Sequence, residues 1–167
     1  MATQRIGLAK AKTETFFERQ AWKVLLGVSL VIGLFGVMDL TGGASDLQNG
    51  ETVLMHSLTG MSWNELKTTS PPAANLIDWK FQSDGVSLFT VAVLTIAICL
   101  TGFRRGQRWS WYTLWAIPLW LALNALSILA AVTHPGYGTP VPVISGAVFF
   151  VLWVTMLGLS YRKYFRD

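Results

Sequence analysis

The chain has 167 residues, of which 52% are hydrophobic and 13% charged, with a formal net charge of +4 and a mean hydropathy of +0.45. Soluble domains carry about 25% charged residues, so this chain has too few charges to cover a globule in water. The single cysteine, Cys99, excludes an internal disulfide, a paired-thiol redox centre and a cysteine-based zinc site.

Residues 1–21 are polar and charged, unlike the apolar core of a cleaved signal peptide, so the first span is expected to remain as an anchor. Phe16, Phe17 and Trp22, set among basic residues, suit an interfacial helix. Val24 to Met38 then carries no charge between Lys23 and Asp39 and predicts a first span over about residues 22–40. Within it, Ser29, Gly33 and Gly36 offer small surfaces for close helix approach.

Residues 41–84 are too long for a plain connection. "TGGASDLQNGE" reads as a turn region. Leu54, Met55, Leu58 and Met61 repeat at helical spacing, with Gly60 near the end of that helix. In "SWNE", Ser62 and Glu65 have the spacing of a capping box. Ser70 before Pro71 predicts another helix start, with Ser70 as N-cap. No breaker separates that start from the second span at about 85–103, so this helix is expected to project beyond the bilayer, with Lys80 and Asp84 paired along it.

A tight turn holding Arg104, Arg105 and Arg108 leads to the third span, 109–132, and Gly106 supplies its backbone freedom. Pro118 should bend the third span, the freed backbone being satisfied near Thr113 or Trp115. "HPGYGTPVP" reads as a turn. The fourth span covers 141–161, with Gly146 and Gly158 as small surfaces. A helix needs roughly 20 apolar residues to cross the hydrocarbon core. The fold class expected is therefore an all-α four-helix transmembrane bundle in one domain, 1–167, with short interfacial helices in segment 41–84.

With four spans, the N-terminal arm, the 2–3 turn and the C-terminal tail share one side. That side holds eleven basic and three acidic residues, whereas the other holds two basic and six acidic. Positive charge near span ends stays in the cytoplasm, which predicts a bacterial inner-membrane protein with both termini inside. Arg104, Arg105 and Arg108 are then placed to meet anionic headgroups, with Trp109 and Trp111 in the interfacial aromatic belt. Membrane anchoring accounts for the basic cluster, so no nucleic-acid partner is expected.

Candidate ligand-binding residues gather toward the other side: Asp39, His56, Asp84, Asn124 and His134. They can meet if spans one to three converge there. Each also has a plainer reading, as a span-end acid, an interhelical amide or turn punctuation. Two histidines, both outside the spans, exclude a bis-histidine haem within the bilayer and a three-histidine zinc site. No serine stands in a nucleophile elbow, and a proton path lacks polar residues at successive depths. No cofactor and no metal are expected.

"GLFGVMDL", "TGMSWNEL", "SPPAANLI" and "FRRGQRWSWYTLWAIPLW", within about residues 25–125, resemble a set of small bacterial membrane proteins with four spans. The resemblance implies a topology and carries no activity or site residue. The reading expected is a non-catalytic accessory or assembly subunit, partnered by lipids and by other membrane proteins or itself. Two alternatives stand beside it. One is a binder of a lipid, quinone or other apolar molecule near Asp39, Asn124 and Phe35; the other is a lipid-modifying enzyme using Asp39, Asp84 or His56.

Overall fold

The computed structural model describes residues 16–46 and 52–165. The arm before Phe16, residues 47–51 of the glycine-rich turn, Arg166 and Asp167 lie outside the described residues. Within them every regular element is helical: α1 (Phe16–Gly42), α2 (Thr52–Thr59), α3 (Trp63–Thr69), α4 (Pro71–Ile98), α5 (Arg108–Leu114), α6 (Ala116–Ala131) and α7 (Val141–Phe165). Four stretches are long and apolar enough to cross a membrane: Glu18–Gly42, Pro71–Phe103, Arg108–Ala131 and Val141–Phe165. The chain is an all-α four-helix bundle of multi-pass type.

The principal pairing is α1 with α4. Both present a buried stripe at a spacing of three and four residues. On α1 the stripe is Ala21, Leu25, Val28, Ile32 and Gly36, and on α4 it is Gly85, Ala92 and Thr95, continued by Cys99 just past its end. Hydrophobic burial between helices is not a driving force in lipid, so close packing must hold them together. The closest approach is at Gly36 and Gly85. A Cβ on Gly36 would lie 2.6 Å from the Phe89 amide nitrogen and 2.9 Å from the Gly85 carbonyl oxygen. A Cβ on Gly85 would lie 2.5 Å from the Leu40 nitrogen. Backbone touches backbone there, and only glycine leaves the room. Gly33, one turn away, faces Ala92. By contrast, nothing within the chain lies within 4 Å of a Cβ on Gly146 or Gly158, so those two glycines are not close-approach positions inside this bundle.

Next, α7 lies against α1, and α6 lies against α7. Among the described residues α4 and α6 have no extended packing, although a short turn joins their spans. The spans thus pack in the order α4, α1, α7, α6, with α4 and α6 not packed on each other. The hairpin end is tightly built. Arg104 N–H donates to Cys99 O at 3.0 Å, a π-helical step, and Gly106 makes the turn with φ +74°. Tyr164 Oη donates to Phe103 O at 2.5 Å, tying the hairpin to α7.

Pro118 interrupts the third span between α5 and α6. Having no N–H, it leaves the carbonyl four residues back, Leu114, without its helical donor. Trp153 of α7 supplies the missing bond, its indole Nε1 donating to Leu114 O at 3.1 Å in a buried setting. The freed carbonyl is Leu114 rather than Thr113 or Trp115, because the proline displaces the i−4 acceptor.

At the opposite end, α2, α3 and the start of α4 enclose a second small core of Ala44, Met55, Trp63, Leu66 and Ala74, backed by Ile77 and Phe81. Ser62 and Glu65 form the expected capping box. Pro71 opens α4, but Ser70 makes no side-chain cap; it sits at φ −145°, ψ 79°, where its own N–H closes α3 on Leu66 O. From Pro71 to Phe103 the helical run is 33 residues, about 50 Å at the usual rise, against a hydrocarbon core of about 30 Å. The run is longer than that core requires, and within its first half Lys80 pairs with Asp84 as expected.

Two outcomes test this packing. Gly85→Ala should lower stability by about 1–3 kcal/mol, read as a depressed thermal midpoint in detergent, whereas Gly146→Ala should be neutral or mildly stabilising. Trp153→Phe keeps the ring and orphans Leu114 O, at a cost of about 1–3 kcal/mol. Adding Pro118→Ala to it restores an N–H for that carbonyl, so the double variant should recover part of the loss.

Candidate functional site

The five polar residues expected to converge are divided by the fold among three places. Asp39 stands on α1 at the Gly85 crossing, where a Cβ on Gly85 would meet its carbonyl carbon at 3.0 Å. Asp84 is one residue from that crossing on α4, exposed and bridged to Lys80. These two acids share a region because α1 and α4 cross there.

His56 and His134 share a second place. Thr133 and His134 both donate their N–H to Ser57 O, at 2.9 and 3.0 Å, and Thr133 Oγ1 donates to Leu58 O at 2.9 Å. The carbonyls at the end of α2, left over by the helix, thereby dock the α6–α7 loop. The His56 ring lies 4.9 Å from the Tyr137 ring, and His134 Nδ1 is 2.9 Å from Thr133 Oγ1. The imidazole of His134 also fills the space beside Gly60. The cap made by α2 and α3 therefore connects α4 to the α6–α7 loop, the two regions that the spans leave apart.

Asn124 stands away from both groups. Its Nδ2 donates to Trp120 O of its own helix at 3.1 Å, and the side chain is exposed. An amide four residues from a carbonyl can satisfy itself locally, and it does so here instead of bonding to another helix. Phe35 is likewise exposed. Among the described residues no three His, Cys, Asp or Glu side chains come together as a metal site.

The hairpin end is the better organised of the two. Arg108 Nε donates to Tyr164 O at 2.9 Å and its guanidinium lies 5.6 Å from the Phe165 ring centroid. Trp111 Nε1 donates to Leu157 O at 3.0 Å, and its ring packs edge-on against Tyr112, Trp115, Tyr161 and Phe165. Both residues thus join the turn to α7. Trp109 is exposed, with Nε1 donating to Gln107 Oε1 at 2.7 Å. Arg105 is exposed, and Arg104 lies 5.1 Å from the centroid of Trp22 on α1. From the sequence, Trp22 belongs to an interfacial helix and Lys163 to the basic tail on the same side as the turn, but neither is paired with Arg104. Lys163 Nζ donates to Arg104 O at 3.5 Å, and the only signal of this was the shared charge of the three segments.

Comparison with protein-family models, curated proteins and solved structures gives no match. The chemistry on offer is therefore what these residues themselves provide: two docked histidines, two acids at a helix crossing, and a cationic, aromatic hairpin end.

One group in the cap has a shifted titration. The Glu65 carboxylate is held below its ordinary value, first by accepting the Ser62 backbone N–H at 2.7 Å and then by the Ser62 hydroxyl. A depressed carboxylate stabilises the fold fully above its unfolded value, and that contribution is lost as pH falls through the folded value. Acidification through that window should speed amide hydrogen exchange at the start of α3, and Glu65→Gln should flatten the dependence.

Proposed function

We propose that this chain is a non-catalytic membrane subunit that assembles with other membrane proteins, or with itself, through the open side of its bundle between α4 and α6. One observation carries the reading. The two helices leave large apolar side chains uncovered, with Val86, Val93 and Leu94 on α4 and Leu119, Leu123 and Leu126 on α6 all exposed. The side between them is bounded by the hairpin at one end and by the cap at the other. A neighbouring helix fits a gap built in this way, because packing at close range is what joins helices in lipid. Beyond the bilayer, Leu76 and Trp79 on the projecting part of α4 are 64% and 62% exposed, and water rather than lipid surrounds them there. Large apolar groups in water mark a surface for a partner.

The dispersal of the polar candidates supports a non-catalytic role. Acid–base chemistry needs donor and acceptor within hydrogen-bond reach of one substrate atom, and Asp84 is occupied with Lys80 while the histidines are built into a loop contact. An apolar-ligand pocket lined by Asn124 draws less support, since that amide bonds within its own helix. The charge asymmetry supports an orientation with the hairpin end in the cytoplasm of a bacterial inner membrane.

Single cysteines introduced in a Cys99→Ser background test both parts. Cysteines at Val93 and Leu123 should form cross-linked adducts in native membranes, and one at the exposed Val148 of α7 should not. A lone 18.4 kDa monomer in mild detergent, without adducts at either position, would overturn the subunit reading. On intact cells an impermeant maleimide should label Asn64→Cys and leave Gln107→Cys untouched.

A further inference from the structure

At the hairpin end two cations from separate elements lie by one indole, and a third, from α7, reaches the backbone of the turn. The Trp22 ring of α1 is half-buried against the main core, so its position is fixed. Lys23 Nζ lies 5.8 Å from its centroid and Arg104 Cζ lies 5.1 Å from it. The third cation, Lys163 of α7, reaches the Arg104 carbonyl at 3.5 Å, with its stem beside Gly106. Among the described residues the acid at this end is Glu18, which is buried and already engaged. Positive charge gathered at one end of the bundle attracts an anion, which offsets the repulsion among the cations.

The surface that leads away from the cations is apolar and notched. Lys23, Gly27, Leu30 and Leu34 lie on one exposed face of α1 at intervals of four, three and four residues. Nothing is within 4 Å of a Cβ on Gly27, while Leu30 and Leu34 stand out at 57% and 60% exposure. An exposed apolar helix face, open over Gly27 and starting one turn past Lys23, matches a molecule with a charged head and a hydrocarbon tail. Arg108 is not part of the cluster, being engaged at Tyr164 and Phe165.

We infer that the hairpin end holds a site for one anionic phospholipid. Its phosphodiester is bound by Lys23, Arg104 and Lys163, and an acyl chain lies along Gly27, Leu30 and Leu34 of α1. The inference does not depend on what occupies the open side of the bundle. A soluble phosphate ester shares the headgroup chemistry but not the tail, so the two sources can be told apart.

The full chain in mild detergent is titrated with phosphatidylglycerol, phosphatidylcholine and glycerol 3-phosphate, with lipid adducts counted by native mass spectrometry and thermal midpoints followed in parallel. Phosphatidylglycerol should give one retained adduct and a raised midpoint, and phosphatidylcholine neither. Lys23→Gln and Arg104→Gln should each weaken phosphatidylglycerol binding about fivefold, the factor for about 1 kcal/mol per basic residue near an anionic surface. Gly27→Leu, which fills the notch, should weaken it with every charge intact, and Lys80→Gln at the far end should leave it unchanged. Should Arg104→Gln fail to fold, Lys23→Gln, altering an exposed side chain, decides the matter. Equal retention of the two lipids, or unaltered binding in Lys23→Gln and Gly27→Leu, overturns the site. A response to glycerol 3-phosphate at the concentration where phosphatidylglycerol acts overturns the lipid as its occupant.

Discussion

The contact of Gly36 with Gly85 is the constraint on which the arrangement of the other helices rests. Where two backbones meet without side chains between them, α1 and α4 approach until backbone touches backbone. That pairing fixes the direction in which α4 leaves the bilayer, and so where the cap is built. It also turns the Ala21–Leu25–Val28 surface of α1 toward the remaining core, which includes Trp153 and Leu157 of α7. In lipid this contact cannot be replaced by apolar burial alone, since lipid tails are as apolar as the helices.

A second requirement shapes the hairpin end. A carbonyl that lacks its helical donor in hydrocarbon needs one from elsewhere, as Trp153 provides for Leu114, and Trp111, Tyr164 and Arg108 add side-chain bonds to the carbonyls of Leu157, Phe103 and Tyr164. Bonds of this kind average about 0.6 kcal/mol within membrane bundles. Their greater effect is on geometry, because each joins the turn or the third span to α7, directly or through a shared residue. The dense aromatic and basic composition of residues 101–115 thus serves two purposes. Some of these side chains hold helices together, and others, such as Arg104, remain outward beside cations from α1 and α7.

The two ends of the bundle differ in consequence. The cap has its own small core and is fastened to the α6–α7 loop by backbone bonds to Ser57, which leaves His56 and His134 as part of a joint rather than a reactive pair. The hairpin end gathers fixed positive charge by an indole and beside an exposed apolar helix face. Between them, the uncovered side of α4 and α6 is a surface whose complement must come from lipid or from another helix.

Hydrophobic run lengths, turn residues and capping spacing are local properties, and for that reason the four helices, the Ser62–Glu65 box and the Lys80–Asp84 pair were legible from the sequence. The sequence also marked Gly33 and Gly36 as close-approach positions, but it offered Gly146 and Gly158 on equal terms, because a small residue does not reveal which face meets a neighbour. Only the tertiary structure assigned Gly85 opposite Gly36, Trp153 to the carbonyl freed by Pro118, and Asn124 to its own helix. It also set Asp84 beside the α1–α4 crossing and His134 against Gly60, and placed Lys23 and Arg104 by Trp22 with Lys163 at the Arg104 carbonyl. The physical reason is that run length and capping depend on neighbours along the chain, whereas a polar side chain takes the partner that packing brings within reach, and packing is decided by residues far apart in sequence.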